Sequence, residues 1–289
     1  MAATSAPAPA GRELKRPGIG WFLHDGAVVA RRNLIQALRV PESIFFSLVQ
    51  PVIFVFMFAY VFGGAIPVPG ADPGAGADAY RQYLIPGIFG QTVAFAAAAS
   101  TVGLADDLHK GIVDRFRSLP MAASAVLIGR TAADALQQIG VLVVLSITGF
   151  IVGWRISNGV GNAVLAYLLL LLFAYTVAWV GAWVGLHMPN PQTASTAGLI
   201  WLFPLTFLSN AFVPLAGMPT VVRTIAEWNP VSSLVLACRE LFGNPTGVAP
   251  QLESAAWPMQ YPVAYTLISC AVVIAVFSTL AVRKYRANS

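Results

Sequence analysis

The chain has 289 residues, of which 57% are hydrophobic and only 10% charged, with a formal net charge of +5. A soluble domain carries about a quarter charged residues, so this composition excludes a water-covered globule; from Ile156 to Val222 there is not one Asp, Glu, Lys or Arg. The basic excess does not point to nucleic acid, because the basic residues flank apolar runs and form no stripe with interleaved aromatics.

Residues 1–20 are small, polar and Pro-rich, with Arg12, Lys15 and Arg16 but no apolar core of the kind a secretory signal needs. They read as a disordered cytoplasmic tail. Residues 21–43 read as an amphipathic interfacial helix. At 100° per residue Asp25, Arg32, Gln36 and Arg39 share one face, with Leu23, Ala27, Ala30, Leu34 and Leu38 opposite. Such a segment lies in the membrane surface, against lipid, and Pro41 ends it.

Six apolar runs follow, at 44–62, 84–104, 132–152, 160–186, 193–215 and 263–282. Each is long enough to cross about 30 Å of hydrocarbon as a helix, and helices are required because lipid offers backbone groups no partner. The expected fold is therefore an all-α integral membrane protein, with residues 44–289 forming one six-span domain. Between the first two runs, 63–83 is a Gly- and Pro-rich loop, and 157–159 is a tight turn. The stretch 216–262 is long, and 231–242 within it is apolar, helical in pattern and too short to span. It reads as a re-entrant or external helix between spans five and six, started at Asn229–Pro230 and carrying Arg239.

Orientation follows from Lys and Arg. With the N-terminus inside, cytoplasmic parts hold Arg12, Lys15, Arg16, Arg31, Arg32, Arg39, Lys110, Arg115, Arg117, Arg130, Arg283, Lys284 and Arg286. The outer side holds only Arg81, Arg155, Arg223 and Arg239. Both termini are expected in the cytoplasm.

Catalytic chemistry finds no footing. His24, His109 and His187 are scattered, Cys238 and Cys270 are isolated, and no His-Glu-x-x-His or Gly-x-Ser-x-Gly occurs. No metal site and no catalytic residue are expected. The lysines Lys15, Lys110 and Lys284 do not follow glycine, so the chain carries no phosphate-cradling Walker loop. Asp134 is the one acid inside an apolar run; it is read either as paired with Arg130 one helical turn away or as a proton relay. Gln91, Gln137, Gln138 and Asn210 could line a translocation path or bond between helices. Phe203, Phe207, Phe212 and Met57 could face an aromatic amphiphile or fill the core. Gly149/Gly153 and Gly181/Gly185 are read as helix-packing sites.

The stretch 105–121, Ala-Asp-Asp-Leu-His-Lys-Gly-Ile-Val-Asp-Arg-Phe-Arg-Ser-Leu-Pro-Met, concentrates charge between uncharged runs. Together with Asn229-Pro-Val, Arg239 and Gly243-Asn-Pro-Thr-Gly247, it resembles ABC-2 permeases, in particular the actinobacterial daunorubicin-resistance type of drug-efflux permease. The layout from Trp21 onward is similar as well.

That resemblance implies a membrane-spanning permease subunit of an exporter in the cell membrane. ATP and Mg would be bound by a partner ATPase chain, this chain binding no cofactor. Asp106, Asp107, Lys110, Gly111, Asp114, Arg115, Arg117 and Pro120 would form the coupling element that docks on that ATPase, with 188–192 as a shorter second contact. A second permease copy or a paralogue is expected to complete a path for a hydrophobic or amphiphilic drug, antibiotic or lipid. The alternatives are a solvated loop that only sets topology, a proton-coupled secondary exporter using Asp134, and an intramembrane lipid enzyme, for which no polar cluster is visible.

Overall fold

In the computed structural model of the chain, the residues described are 41–71, 74–111, 123–247 and 256–287. They are helical with short connections, and no strand occurs among them. The expected tail and the expected interfacial helix, with Asp25, Arg32 and Arg39, lie outside the described residues, except that 41–43 begin the first helix. In chain order the elements are α1 (Pro41–Val61), α2 (Gly76–His109), α3 (Ala123–Val152), α4 (Gly159–Gly185) and α5 (Pro191–Phe207). Then come a 3₁₀ turn (Leu215–Gly217), α6 (Thr220–Glu227), α7 (Pro230–Phe242), α8 (Trp257–Gln260) and α9 (Pro262–Ala287).

Four of these, within α2, α3, α4 and α9, are long and apolar enough to cross a membrane. All six expected runs coincide with helices, but their lengths differ. α2 starts well before residue 84, runs past 104 and has 34 residues, so it is about 51 Å long at 1.5 Å per residue. α3 likewise starts before residue 132. Helix continues into these polar flanks because helical hydrogen bonds remain available in water as well as in lipid.

The fifth run behaves oppositely. α5 begins at Pro191, capped by Asn190, whose side chain accepts the Thr193 N–H at 2.8 Å. It has only 17 residues and ends at Phe207, although the apolar run continues to residue 215. Pro204, Ser209, Asn210 and Pro214 interrupt the pattern, and the carbonyls that leave the helix find side-chain donors elsewhere. Composition could not reveal those donors.

α2 is the central helix. Its residues Tyr80, Tyr83, Leu84, Ile85, Ile88, Phe89, Val93, Ala94 and Ala97 are buried in the main core with parts of α1, α3, α4, α5 and α7. α4 meets it closely: a Cβ on Gly181 would collide with the Ala97 carbonyl, and one on Gly185 with that of Thr101. Gly181 and Gly185 are thus packing residues, as expected. Of the other pair only Gly149 packs, 3.1 Å from Ile85 as measured to an added Cβ. Gly153 instead takes φ +109° in the α3–α4 turn, with open space around it.

Candidate functional site

The N-terminal end of α2 lies in a polar cluster built around α7. Asn229 caps that helix, its side chain accepting the Val231 N–H at 2.9 Å, and Pro230 occupies the first turn. The Asn229 amide nitrogen also donates to the carbonyls of Leu205 and Leu208, at 2.6 and 2.8 Å, closing the end of α5.

Arg239, on the same helix, is fully buried. Its Nε donates to the Tyr83 carbonyl at 2.9 Å and its Nη2 to the carbonyls of Asn210 and Ala211 at 3.0 and 3.1 Å. The guanidinium carbon stands 3.4 Å from the centre of the Tyr83 ring. Tyr83 donates its hydroxyl to the Asn210 carbonyl at 2.6 Å, and Tyr80 to that of Phe212 at 3.2 Å. Non-helical backbone at membrane depth survives only when protein groups satisfy it. Segment 205–212 meets that condition through Asn229, Arg239, Tyr83 and Tyr80. Gly87 permits the approach, since a Cβ there would overlap the Ala211 carbonyl.

A second layer closes over this one. α7 ends at Gly243, whose φ of +75° places it in the left-handed region, and the next N–H, of Asn244, returns to the Arg239 carbonyl at 2.8 Å. The Asn244 side chain accepts the Trp154 indole N–H at 2.8 Å and donates to Gln82 and to the Arg155 carbonyl at 3.0 and 2.9 Å. Gln82 in turn donates to the Gly153 carbonyl at 2.9 Å. One cluster therefore joins α2, the α3–α4 turn and α7.

The C-terminal end of α2 carries the charged stretch. Its first residues continue the helix: Asp106 and Asp107 are helical, and Gly111 takes φ +66° just past the end, where the backbone breaks. Lys110 pairs with Asp106 at 2.7 Å on an exposed face. Asp107 points the other way, into an ion pair with Arg130 of α3. Asp114, Arg115, Arg117 and Pro120 lie outside the described residues.

One expectation is corrected here. Arg130 pairs across the helix interface with Asp107, not along its own helix with Asp134. Asp134 instead accepts the Ser100 hydroxyl of α2 at 2.6 Å. Packing of α2 against α3 brings both partners, Asp107 and Ser100, within reach of α3.

Of the path candidates, Asn210 and Phe207 fall in and beside the non-helical segment, Phe207 exposed and stacked on Phe203 and Phe212. Gln91 is buried in α2, and Gln138 stands half-buried on α3. Each of Gln91, Gln138 and Asn210 buries one amide atom with no hydrogen-bond partner among the described residues. Trp154, Tyr83, Gln82 and the Asp107–Arg130 pair were not foreseen. Arg239, beside Glu240 in an apolar helix, was one hint of buried polar structure, together with Asp134, Gln91, Gln138 and Asn210. No cluster of His, Cys, Asp and Glu suited to a metal occurs among the described residues.

Residues 26–242 match the family described as ABC-2 type transporter. The chain belongs to that family. It is 33% identical over 255 residues to a daunorubicin-resistance ABC transporter permease of Streptomyces coeruleorubidus, covering 88% of this chain and 83% of that one. It is 29% identical over 230 residues to a doxorubicin-resistance ABC transporter permease of Mycobacterium tuberculosis, covering 78% of each. The chain is accordingly an ABC-2 membrane protein of the transport class, a multi-pass helical subunit. The family match covers the cluster on α2 and α3 and, apart from Gly243 and Asn244, the one on α2, the α3–α4 turn and α7.

Proposed function

We propose that this ABC-2 chain is the permease subunit of an exporter that moves a hydrophobic or amphiphilic compound outward. A separate ATPase subunit supplies the energy. The observation that carries this reading is α2, about 51 Å long against about 30 Å of hydrocarbon, which holds its charged end clear of the lipid. The segment after Gly111, with Asp114, Arg115, Arg117 and Pro120, continues from that end and is the docking element. Arg side chains there suit forked hydrogen bonds to acidic partner groups. ATP and Mg belong to the partner chain.

The topology that fits has six spans, α1 to α5 and α9, with both termini in the cytoplasm of a plasma-membrane protein. The 21–43 segment lies on the inner surface against lipid. α7 is a re-entrant element held inside the protein by Arg239. The names of the relatives support a drug as substrate, and the buried amides of Gln91, Gln138 and Asn210 support a path beside α2 and α3. Two permease copies, or this chain and a paralogue, enclose that path.

Purification of the tagged chain in mild detergent tests the assembly. A stoichiometric companion with ATPase activity is the expected result; a clean chain that never recruits one from intact membranes overturns it. Asp114→Ala with Arg115→Ala should then abolish export while the chain still inserts and folds. Export at the unmodified rate would remove the docking role.

A proton-coupled exporter is the second reading. It rests on one observation, that Asp134, within a span, takes its hydrogen bond from the neutral Ser100 hydroxyl at 2.6 Å. Asp134→Asn decides it: export that persists and still requires ATP removes the relay.

A further inference from the structure

The segment that joins α2 to α3 is tied together at its base. Asp107, in the last turn of α2, and Arg130, near the start of α3, form an ion pair in which each side chain is only 15% exposed. Arg130 reaches across by lying on Gly103, where a Cβ would displace the guanidinium. A turn deeper the same helices are joined again, Ser100 donating to Asp134 at 2.6 Å. Residues 100, 103 and 107 share one face of α2, and 130 and 134 one face of α3, so the two contacts form a zip. Lys110 and Asp106 lie on the exposed side and take no part.

A largely buried ion pair adds little net stability, but losing one partner strands the other charge. Its value is geometric. Without it, a push on residues 111–122 is absorbed by splaying the helix ends apart. With it, the push enters α2 and α3 together, and α2 passes it to α4 and α5 through the close contacts at Gly181, Gly185 and Gly198.

We propose that Asp107 and Arg130 are a positioning pair that clamps both ends of the coupling segment, so that α2 and α3 move as one lever. This rests on the exporter reading above but is separable from it. Nitroxide labels on His109 and Leu136, both exposed, report the separation of the two helices in the assembled transporter by pulsed electron resonance. In the parent protein the distance distribution is expected to stay narrow and unchanged between the nucleotide-free and the ATP-plus-vanadate states. In Asp107→Ala and in Arg130→Ala it should broaden and lengthen on nucleotide trapping. The exchange Asp107→Arg with Arg130→Asp should restore the narrow distribution, a rescue that loss of folding would not show. Single variants that keep the parent distribution, or a parent protein whose helices separate on trapping, would overturn the clamp. If no ATPase subunit associates, the exporter reading fails instead. The clamp then stands or falls on whether Asp107→Ala widens the distribution in the isolated chain.

Discussion

At its N-terminal end, the outer one in the proposed topology, α2 is fastened by neutral carbonyls gathered around one buried arginine; at its C-terminal end, the inner one, it is fastened by paired charges. The outer bonds tie α2 to segment 205–212 and to α7, and each broken one leaves a polar group inside a dry core. The inner Asp107–Arg130 pair is largely buried as well, each side chain 15% exposed, whereas the Lys110–Asp106 pair at the tip lies in water. Breaking the exposed Lys110–Asp106 pair is therefore cheap, and breaking either of the buried fastenings is costly.

The comparison breaks most directly at Arg239. Arg239→Ala strips donors from the carbonyls of Tyr83, Asn210 and Ala211 and should cost roughly 3 kcal/mol or more. Thermal unfolding in detergent should show the largest loss of any single variant. Arg239→Lys should rescue little, because an ammonium cannot reach three carbonyls in the plane of a guanidinium. If Arg239→Ala melts with the parent protein, the outer fastening is not a costly one to break.

Gly87→Ala tests the same end through shape, since the added methyl must push away the backbone at Ala211. A loss of about 1–3 kcal/mol is expected, read from the same melts. Asn229→Ala removes the cap of α7 and two donors to the end of α5, for about 1–2 kcal/mol. Protease sensitivity of residues 205–215 should rise with it. The smallest effect belongs to the inner, exposed pair: Lys110→Ala should change stability by at most about 0.5 kcal/mol and should do so only at low salt. A large loss there would erase the contrast between exposed and buried fastenings.

How much of this was legible varies by region. The six apolar runs and the start of α7 at Asn229–Pro230 show in the sequence because they depend on local signals, long uncharged stretches and a cap followed by proline. The early end of α5 does not show. Apolar residues continue to 215, and only the carbonyl partners supplied by Tyr80, Tyr83, Asn229 and Arg239 let the backbone leave the helix there. Arg239 itself counted as an outer-loop charge because charge alone suggests water. Nothing local indicates that three carbonyls from two other segments surround it. Asp134 was assigned to Arg130 by the same local logic, and the α2–α3 interface gave each of them a different partner.

The sequence alone determined that this chain is a helical membrane protein with its charges at the helix ends. Composition and run length decide that before any contact forms, because lipid accepts neither charge nor unpaired backbone. Its motifs also carried the family. The tertiary structure decided which polar groups meet: Arg239 with the carbonyls of α2 and 205–212, Asn244 with Trp154 and Gln82, Asp107 with Arg130. These residues are 23 to 162 positions apart, and only packing brings them within hydrogen-bond reach.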